Sequence, residues 1–305
     1  MSTKVLSYYQ NNNKEGCTEE KKSSQIDKII CNTTDDLSYP LDTLGQLRTK
    51  SSNLVTKARK KFFTNGLAVG LVSASECNTE SKLTKSYWRS YHCCNQLELL
   101  ENGTIKSQYY CDYRWCMTCN AIRTAKHIIA YREIIDSWEE PYFITLTQKT
   151  VPSCSLTKML DEMQRIFCLI KDSYYKDYKR GKLKEPLTGV RKLECTYRPI
   201  TDHYHPHYHI VVKNKSMGEY ILSRWIELND NAEIHGQKLI KANGNTLLEL
   251  FKYMTKIIAS TGKRPNTNDE KLINAKALDI VFNALHGRRT IQNFGFKINK
   301  NCMED

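Results

Sequence analysis

His205-Pro206-His207-Tyr208-His209-Ile210-Val211-Val212 runs three alternating histidines into a β-branched apolar stretch. Alternate residues of a strand share one face. His205, His207 and His209 therefore point one way, and Tyr208, Ile210 and Val212 the other. His203 extends the alternation backwards but falls in the preceding turn, where the period no longer sets direction. Imidazoles this close on one rigid surface suit a divalent metal, and a metal on a sheet can polarise a phosphoryl oxygen. The plainer alternative is a polar strand face with solvated histidines, which a lone histidine would fit better than three at period two.

The neighbouring segments supply partners for this strand. Leu193-Glu194-Cys195-Thr196-Tyr197 reads as a strand, and the polar turn Pro199 to Tyr204 joins the two as a hairpin. Tyr142 to Thr147 alternates with high strand propensity, and Pro152 and Ser153 close it. Ser155 is the expected N-cap of a helix over 155–178. Leu156, Met159, Leu160, Met163, Ile166, Phe167, Ile170 and Tyr174 recur there at helical spacing, the methionines as core filler. A helix near 216–228, a short strand near 237–241, a turn at Asn243-Gly244-Asn245, and helices over 247–258 and 270–285 follow. The last helix leads into His286-Gly287-Arg288-Arg289.

The chain has 305 residues, enough for one large domain or two modest ones, and a net charge of +13. Such a balance favours an anionic partner, most commonly nucleic acid. A membrane surface is the weaker alternative, because no basic amphipathic helix stands out. The opening residues lack the apolar core of a signal peptide. The run Gly66 to Val72 is too short to cross a bilayer. A cytoplasmic location without a membrane partner is expected. Residues 1–85 read as a variable, partly disordered region. Within it, a weak helical pattern from Leu41 to about Phe63 ends in Lys57-Ala58-Arg59-Lys60-Lys61, a solvated helix face or a phosphate-contacting arm. Residues 76–86 look like a linker.

Five of the twelve cysteines crowd into residues 86–127: Cys93, Cys94, Cys111, Cys116 and Cys119. A reducing cytoplasm argues against disulfides. Cys116-x2-Cys119 bends the chain so that both thiolates reach one ion, and a second, distant pair completes a four-cysteine zinc site. Cys94, Cys111, Cys116 and Cys119 are the expected ligands, with Cys93 as substitute for Cys94. The site would be structural, and a chance cluster of buried thiols is the alternative. Arg114, Arg123 and Lys126 surround it, as suits a DNA-facing module. Arg114 and Arg123, with Arg288 and Arg289, are the expected DNA contacts.

Glu249, Tyr253 and Lys256 stand at i, i+4 and i+7 of the helix over 247–258 and share one face. Leu247, Leu250, Phe251, Met254 and Ile258 form a separate apolar stripe. Taken alone, Thr246 and Glu249 fit a capping box, and Tyr253 fits an ordinary amphipathic position.

Together the segments resemble rolling-circle plasmid replication initiators, the single-tyrosine Rep branch of the HUH endonucleases. Three motifs occur in that family's order and spacing: Phe143 to Thr147, the hairpin from Leu193 to His209, and Glu249-x3-Tyr253-x2-Lys256. Cys111-x4-Cys116-x2-Cys119 resembles the family's cysteine-rich segment, and Leu285 to Arg289 with Asn293-Phe294-Gly295 its C-terminal part. The resemblance covers about residues 87–300. It implies an α+β fold: a central antiparallel sheet of about five strands with flanking helices, HUH-like, spanning 128–305 and preceded by the cysteine-rich zinc-binding segment 86–127. It also implies a metal-dependent nickase acting on single-stranded or supercoiled plasmid origin DNA, with host helicase and polymerase as partners. His207 and His209 match the metal ligands, and Glu194 matches the acidic third ligand, for which His205 competes. Tyr253 matches the nucleophile, Glu249 the acid thought to serve the terminating cleavage, and Lys256 the basic residue after the tyrosine. Such ligands suit Mg²⁺ or Mn²⁺, with Zn²⁺ at the cysteines.

Two other functions share these features. A single-tyrosine transposase or mobilisation relaxase would use the same chemistry. Transposases of this kind are generally shorter and lack the cysteine segment, and relaxases usually place the tyrosine before the histidines. A non-catalytic zinc-dependent DNA-binding protein would use the histidines as a second structural site.

Overall fold

In the computed structural model of the chain, residues 51–99, 105–107, 109–243, 250 and 268–298 are described. Five strands form one antiparallel sheet: β3 (Tyr142–Thr147), β4 (Gly189–Arg198), β5 (His203–Val212), β6 (Lys238–Lys241) and β7 (Ile291–Phe294). Their order is β6-β3-β5-β4-β7, which puts the histidine strand in the middle. The α+β expectation holds. The β4–β5 hairpin is longer than the sequence suggested. It pairs ten residues with ten, from Gly189 opposite Val212 to Arg198 opposite His203, so His203 belongs to the strand rather than the turn. The turn shrinks to residues 199–202 and closes with Asp202 in the left-handed region at φ 50°, which an aspartate tolerates.

The two faces of the sheet have different fates. Ile144, Leu146, Leu193, Cys195, Tyr204, Tyr208, Ile210 and Val212 form one face and join a single apolar core. Helix α4 (Ser153–Lys179) supplies the stripe to that core, burying Leu156, Leu160, Met163, Ile166, Phe167, Ile170 and Tyr174 as its periodicity requires. Its N-cap is Pro152 rather than Ser155: the proline ring fixes an extended entry at φ −67°, and Ser155 N–H donates to the Pro152 carbonyl at 3.1 Å. Helix α5 (Lys215–Leu228) adds Met217, Ile221 and Trp225. It is capped by the Asn214 side chain, which accepts from Met217 N–H at 3.0 Å. Helix α6 (Asn268–Leu285) closes the core with Ala277, Val281 and Leu285. The other face carries the histidines.

The described residues divide into two compact units, with boundaries after Lys126 and after Lys276. The first contains α1 (Ser51–Glu76), α2 (Thr84–Tyr91), a hairpin of β1 (Leu97–Leu99) and β2 (Ile105–Ser107), and the start of α3 (Met117–Asp136). Helix α1 runs past the expected end near Phe63. Its second half buries Ala68, Leu71, Val72 and Ala74, and that packing outweighs the cost of Gly66 in a helix. Nor is its basic run a wholly solvated face. Lys60 is buried, and the Lys61 ammonium donates to the Tyr91 carbonyl. Thr64 Oγ1 accepts from Met117 N–H at 3.0 Å, which ties α1 to the first turn of α3. No described helix is long and apolar enough to cross a membrane.

Edge strand β7 depends on one glycine. Gly295 follows it at φ +80°, and a Cβ there would run into the Leu187 carbonyl and stand 2.7 Å from Thr188 Oγ1. Both the backbone conformation and the close approach demand glycine. We expect Gly295→Ala to lower the unfolding free energy by about 2 kcal/mol or more, read by urea denaturation as a lower midpoint at unchanged slope. An unchanged midpoint would show that the β7 junction does not constrain the sheet.

Candidate metal centres

On the histidine face, strand pairing builds a small polar cluster. Register sets Glu194 of β4 opposite His207 of β5, and Lys192 opposite His209. On the other flank, Thr145 and Thr147 of β3 stand opposite His209 and His207. Because all lie at even spacing, they share one face. Glu194 Oε2 meets Nε2 of His207 at 3.2 Å and Nε2 of His209 at 3.3 Å, while its Oε1 is paired with the Lys192 ammonium. Lys192 is fully buried, and each of the other three is 8% exposed.

The outer nitrogens fix the rings. His207 Nδ1 lies 3.1 Å from the His205 carbonyl, which can only accept, so the hydrogen sits on Nδ1 and the Nε2 lone pair is left for a cation. His209 Nδ1 is 3.3 Å from Thr145 Oγ1, a hydroxyl able to accept in the same way, and its ring stacks on Phe143 with centroids 5.4 Å apart. Burial alone would raise the Glu194 pKa. The Lys192 ammonium and the two adjoining imidazoles overcome it and hold the carboxyl well below its ordinary value. Burial lowers the His209 pKa against the pull of Glu194, which favours the neutral ring a metal needs.

The donor set fits a divalent ion. Ligand atoms about 2.1 Å from a common ion stand about 3.0–3.4 Å apart in octahedral or tetrahedral arrangements. The two Nε2–Oε2 separations fall in that range, and the three donors lie within 4.8 Å of one another. His205 is not in this group. Its ring stacks beside His207 at 5.4 Å, and burial, with His207 and Arg198 nearby, pushes its pKa down to about 4. Geometry thus favours Glu194 over His205 as the third donor.

The cysteine segment forms a second cluster in the first unit: Cys93, Cys111, Cys116 and Cys119, again within 4.8 Å of one another. Cys119 Sγ is 3.4 Å from Cys93 Sγ and 3.7 Å from Cys111 Sγ. A tetrahedral ion with sulfur ligands at about 2.3 Å requires edges of about 3.8 Å, so these residues fit one. The expected Cys94 gives way to Cys93. Cys93 is 1% exposed and accepts from Cys111 N–H at 3.5 Å. Cys94 sits in the left-handed region at φ 58° and stands outside the cluster, though its sulfur touches Cys93 at 3.6 Å. Spacing alone does not choose between neighbours in the sequence. Cys116 immediately precedes α3 and Cys119 lies in its first turn, where the helix dipole favours thiolates. Burial lowers the Lys61 pKa, and the nearby sulfurs partly restore it.

The remaining expected residues are placed unevenly. Arg123 is tied to Asp112 at 2.5 Å, next to Cys111. Arg288 is tied to Asp161 at 2.6 Å and to the Ala284 carbonyl. Arg114 is half-buried beside Trp115, and Arg289 is exposed. Glu249, Tyr253 and Lys256 lie outside the described residues; of their expected helix, Leu250 alone is described, helical and buried. Two functional neighbours went unread in the sequence. Lys192 precedes Glu194 by two and Thr145 lies in β3, so both had the right parity, but only the register makes them partners.

A family model described as replication protein matches residues 102–304, about two thirds of the chain. The chain belongs to the replication protein family. Among curated relatives of this Rep chain, a "Protein rep" from Staphylococcus aureus is 30% identical over 174 residues, which cover 52% of this chain and 74% of the relative. A "Protein rep" from Streptococcus pneumoniae serotype 2 is 30% identical over 125 residues, covering 38% of this chain but only 37% of that relative. One from a Bacillus species is 28% identical over 120 residues, 37% of each. No solved structure matches.

The cysteine geometry makes a direct distinction. We expect Cys93→Ser to lose the metal bound at the cysteine cluster, and Cys94→Ser to retain it at full stoichiometry. Atomic emission on dialysed protein reads the difference, and the reverse pattern would contradict the assignment.

Proposed function

We propose that this replication protein starts rolling-circle replication of a plasmid by nicking one strand of its origin, with Tyr253 as nucleophile. The observation that carries the reading is the buried Glu194–His207–His209 cluster on the central hairpin, with both Nε2 atoms turned to one carboxylate oxygen. The family match, the order of the three motifs and the basic balance of the chain support it.

In this reading Glu194, His207 and His209 hold Mg²⁺ or Mn²⁺. A bound ion would supply Lewis-acid polarisation of the scissile phosphate. The protein's own groups do the rest. Lys192 keeps the Glu194 carboxylate charged, and the His205 carbonyl and Thr145 hydroxyl aim the two imidazoles. A tyrosine hydroxyl, with a pKa of about 10, is a poor nucleophile at neutral pH, and Lys256, three residues beyond Tyr253 in the chain, stabilises the phenolate. Tyr253 Oη bonds to phosphorus, and the P–O bond to the 3′ oxygen breaks. The departing oxygen takes a proton and becomes the 3′-hydroxyl that a host polymerase extends, while the 5′-phosphate stays on the tyrosine. Glu249 serves as general base for water or a strand hydroxyl in the terminating cleavage. Cys93, Cys111, Cys116 and Cys119 would hold a structural Zn²⁺ in the cysteine-rich segment, and a host helicase opens the duplex ahead of the polymerase.

The test is covalent capture. Incubated with 5′-labelled or internally labelled single-stranded origin DNA and Mn²⁺, then denatured, the protein is expected to yield a labelled band from the internal label only. Tyr253→Phe loses that band. His207→Ala slows its formation by about a hundredfold or more. Glu249→Ala still forms it but fails to release it. Absence of an adduct with single-stranded and supercoiled origin substrates alike would overturn the nickase reading in favour of a non-catalytic DNA-binding protein.

A further inference from the structure

The sheet face opposite the histidines holds a buried cation without a counter-charge among the described residues. Arg191 is 2% exposed, and its guanidinium is sandwiched between the rings of Phe167 and Tyr208, 4.5 Å from each centroid. Its Nη2 donates to two neutral acceptors, Gln164 Oε1 at 2.7 Å and Gln292 Oε1 at 3.0 Å. Its Nη1 is buried with no hydrogen-bond partner among the described residues. The Tyr208 hydroxyl is also buried. A buried cation left unpaired costs several kcal/mol, and unsatisfied buried donors are rare in native proteins.

Arg191 and Tyr208 are among the residues that line one cavity of about 230 Å³, with Leu160, Gln164, Leu193 and Gln292 in its wall and Arg288 and Arg289 completing it. Arg288 already neutralises Asp161 at 2.6 Å. Arg191 and exposed Arg289 therefore leave an excess of positive charge around the space. Water would fill the volume, but it cannot balance a buried charge. The volume lies below the usual range for whole small-molecule ligands, so it suits a compact group rather than a nucleotide.

We propose that this cavity binds a phosphate group, distinct from the scissile phosphate, which belongs to the opposite face of the sheet. A tetrahedral oxyanion with several acceptor oxygens matches guanidinium forks converging from separate elements. Arg191 approaches it from the floor and Arg289 from the rim. Its source is either a free phosphate or phosphomonoester, or the terminal phosphate of a DNA strand; the chemistry recognised is the same.

The experiment uses the full chain and follows the Arg191 Nε–H resonance by NMR, assigned by its absence in Arg191→Met. Inorganic phosphate, a 5′-phosphorylated oligonucleotide and its 5′-hydroxyl counterpart are titrated against a chloride-matched control. We expect the resonance to move with phosphate or with the phosphorylated strand, and not with chloride. Movement with inorganic phosphate assigns a free anion, and movement with the phosphorylated strand alone assigns a DNA end. Because Arg191 is buried, Arg289→Ala provides the variant that leaves the core intact, and it is expected to weaken binding about tenfold. A resonance unmoved by millimolar phosphate and by either oligonucleotide would overturn the proposal, as would equal affinity in Arg289→Ala.

Discussion

The site depends on one carboxylate shared by three partners. Glu194 gives one oxygen to the Lys192 ammonium and the other to the Nε2 atoms of His207 and His209, all within the β4–β5 hairpin. A buried carboxylate is tolerable only when paired and hydrogen-bonded. Here the pairing comes from strand register, since a one-residue slip of β5 would send both imidazoles to the face opposite Glu194 and Lys192. The same hairpin is the middle of the sheet, and its opposite face is the apolar core. Packing of Tyr208, Ile210 and Val212 against α4 therefore locks the register that assembles the polar cluster.

Much of this was legible in the chain. Alternation in 205–212 and in 142–147 announced strands, and the period of α4 announced a helix whose buried residues are those its spacing named. These are places where local propensity, pattern and tertiary packing agree. The misses share a cause. Helix α1 looked weak beyond Phe63 because Gly66 interrupts it, and only packing of Leu71 and Val72 carries it on to Glu76. Strand β7 is four half-buried residues with no strong pattern, held by Gly295 and by pairing with β4.

Site residues divide along the same line. Residues whose role follows from parity along one strand, such as His207 and His209, could be read directly. Those whose role needs a second segment could not. Lys192 and Thr145 become partners only through register, and Cys93 displaces Cys94 only because the backbone turns left-handed at residue 94. The arginines show the same limit from the other side. Arg123 and Arg288 read as free positive charge in the sequence, but each has an aspartate beside it in the fold. Arg191, unremarkable in a string of residues, is the one held in the core between two aromatic rings.

The central claim is that two imidazoles and one carboxylate on adjacent strands hold a single divalent ion. Pulsed EPR of the Mn²⁺-loaded protein tests it most directly, because directly bonded imidazole nitrogens give resolved couplings to the electron spin. The account predicts couplings from two such nitrogens in the wild type and from one in His209→Ala. A spectrum showing Mn²⁺ coordinated by oxygen alone would contradict it.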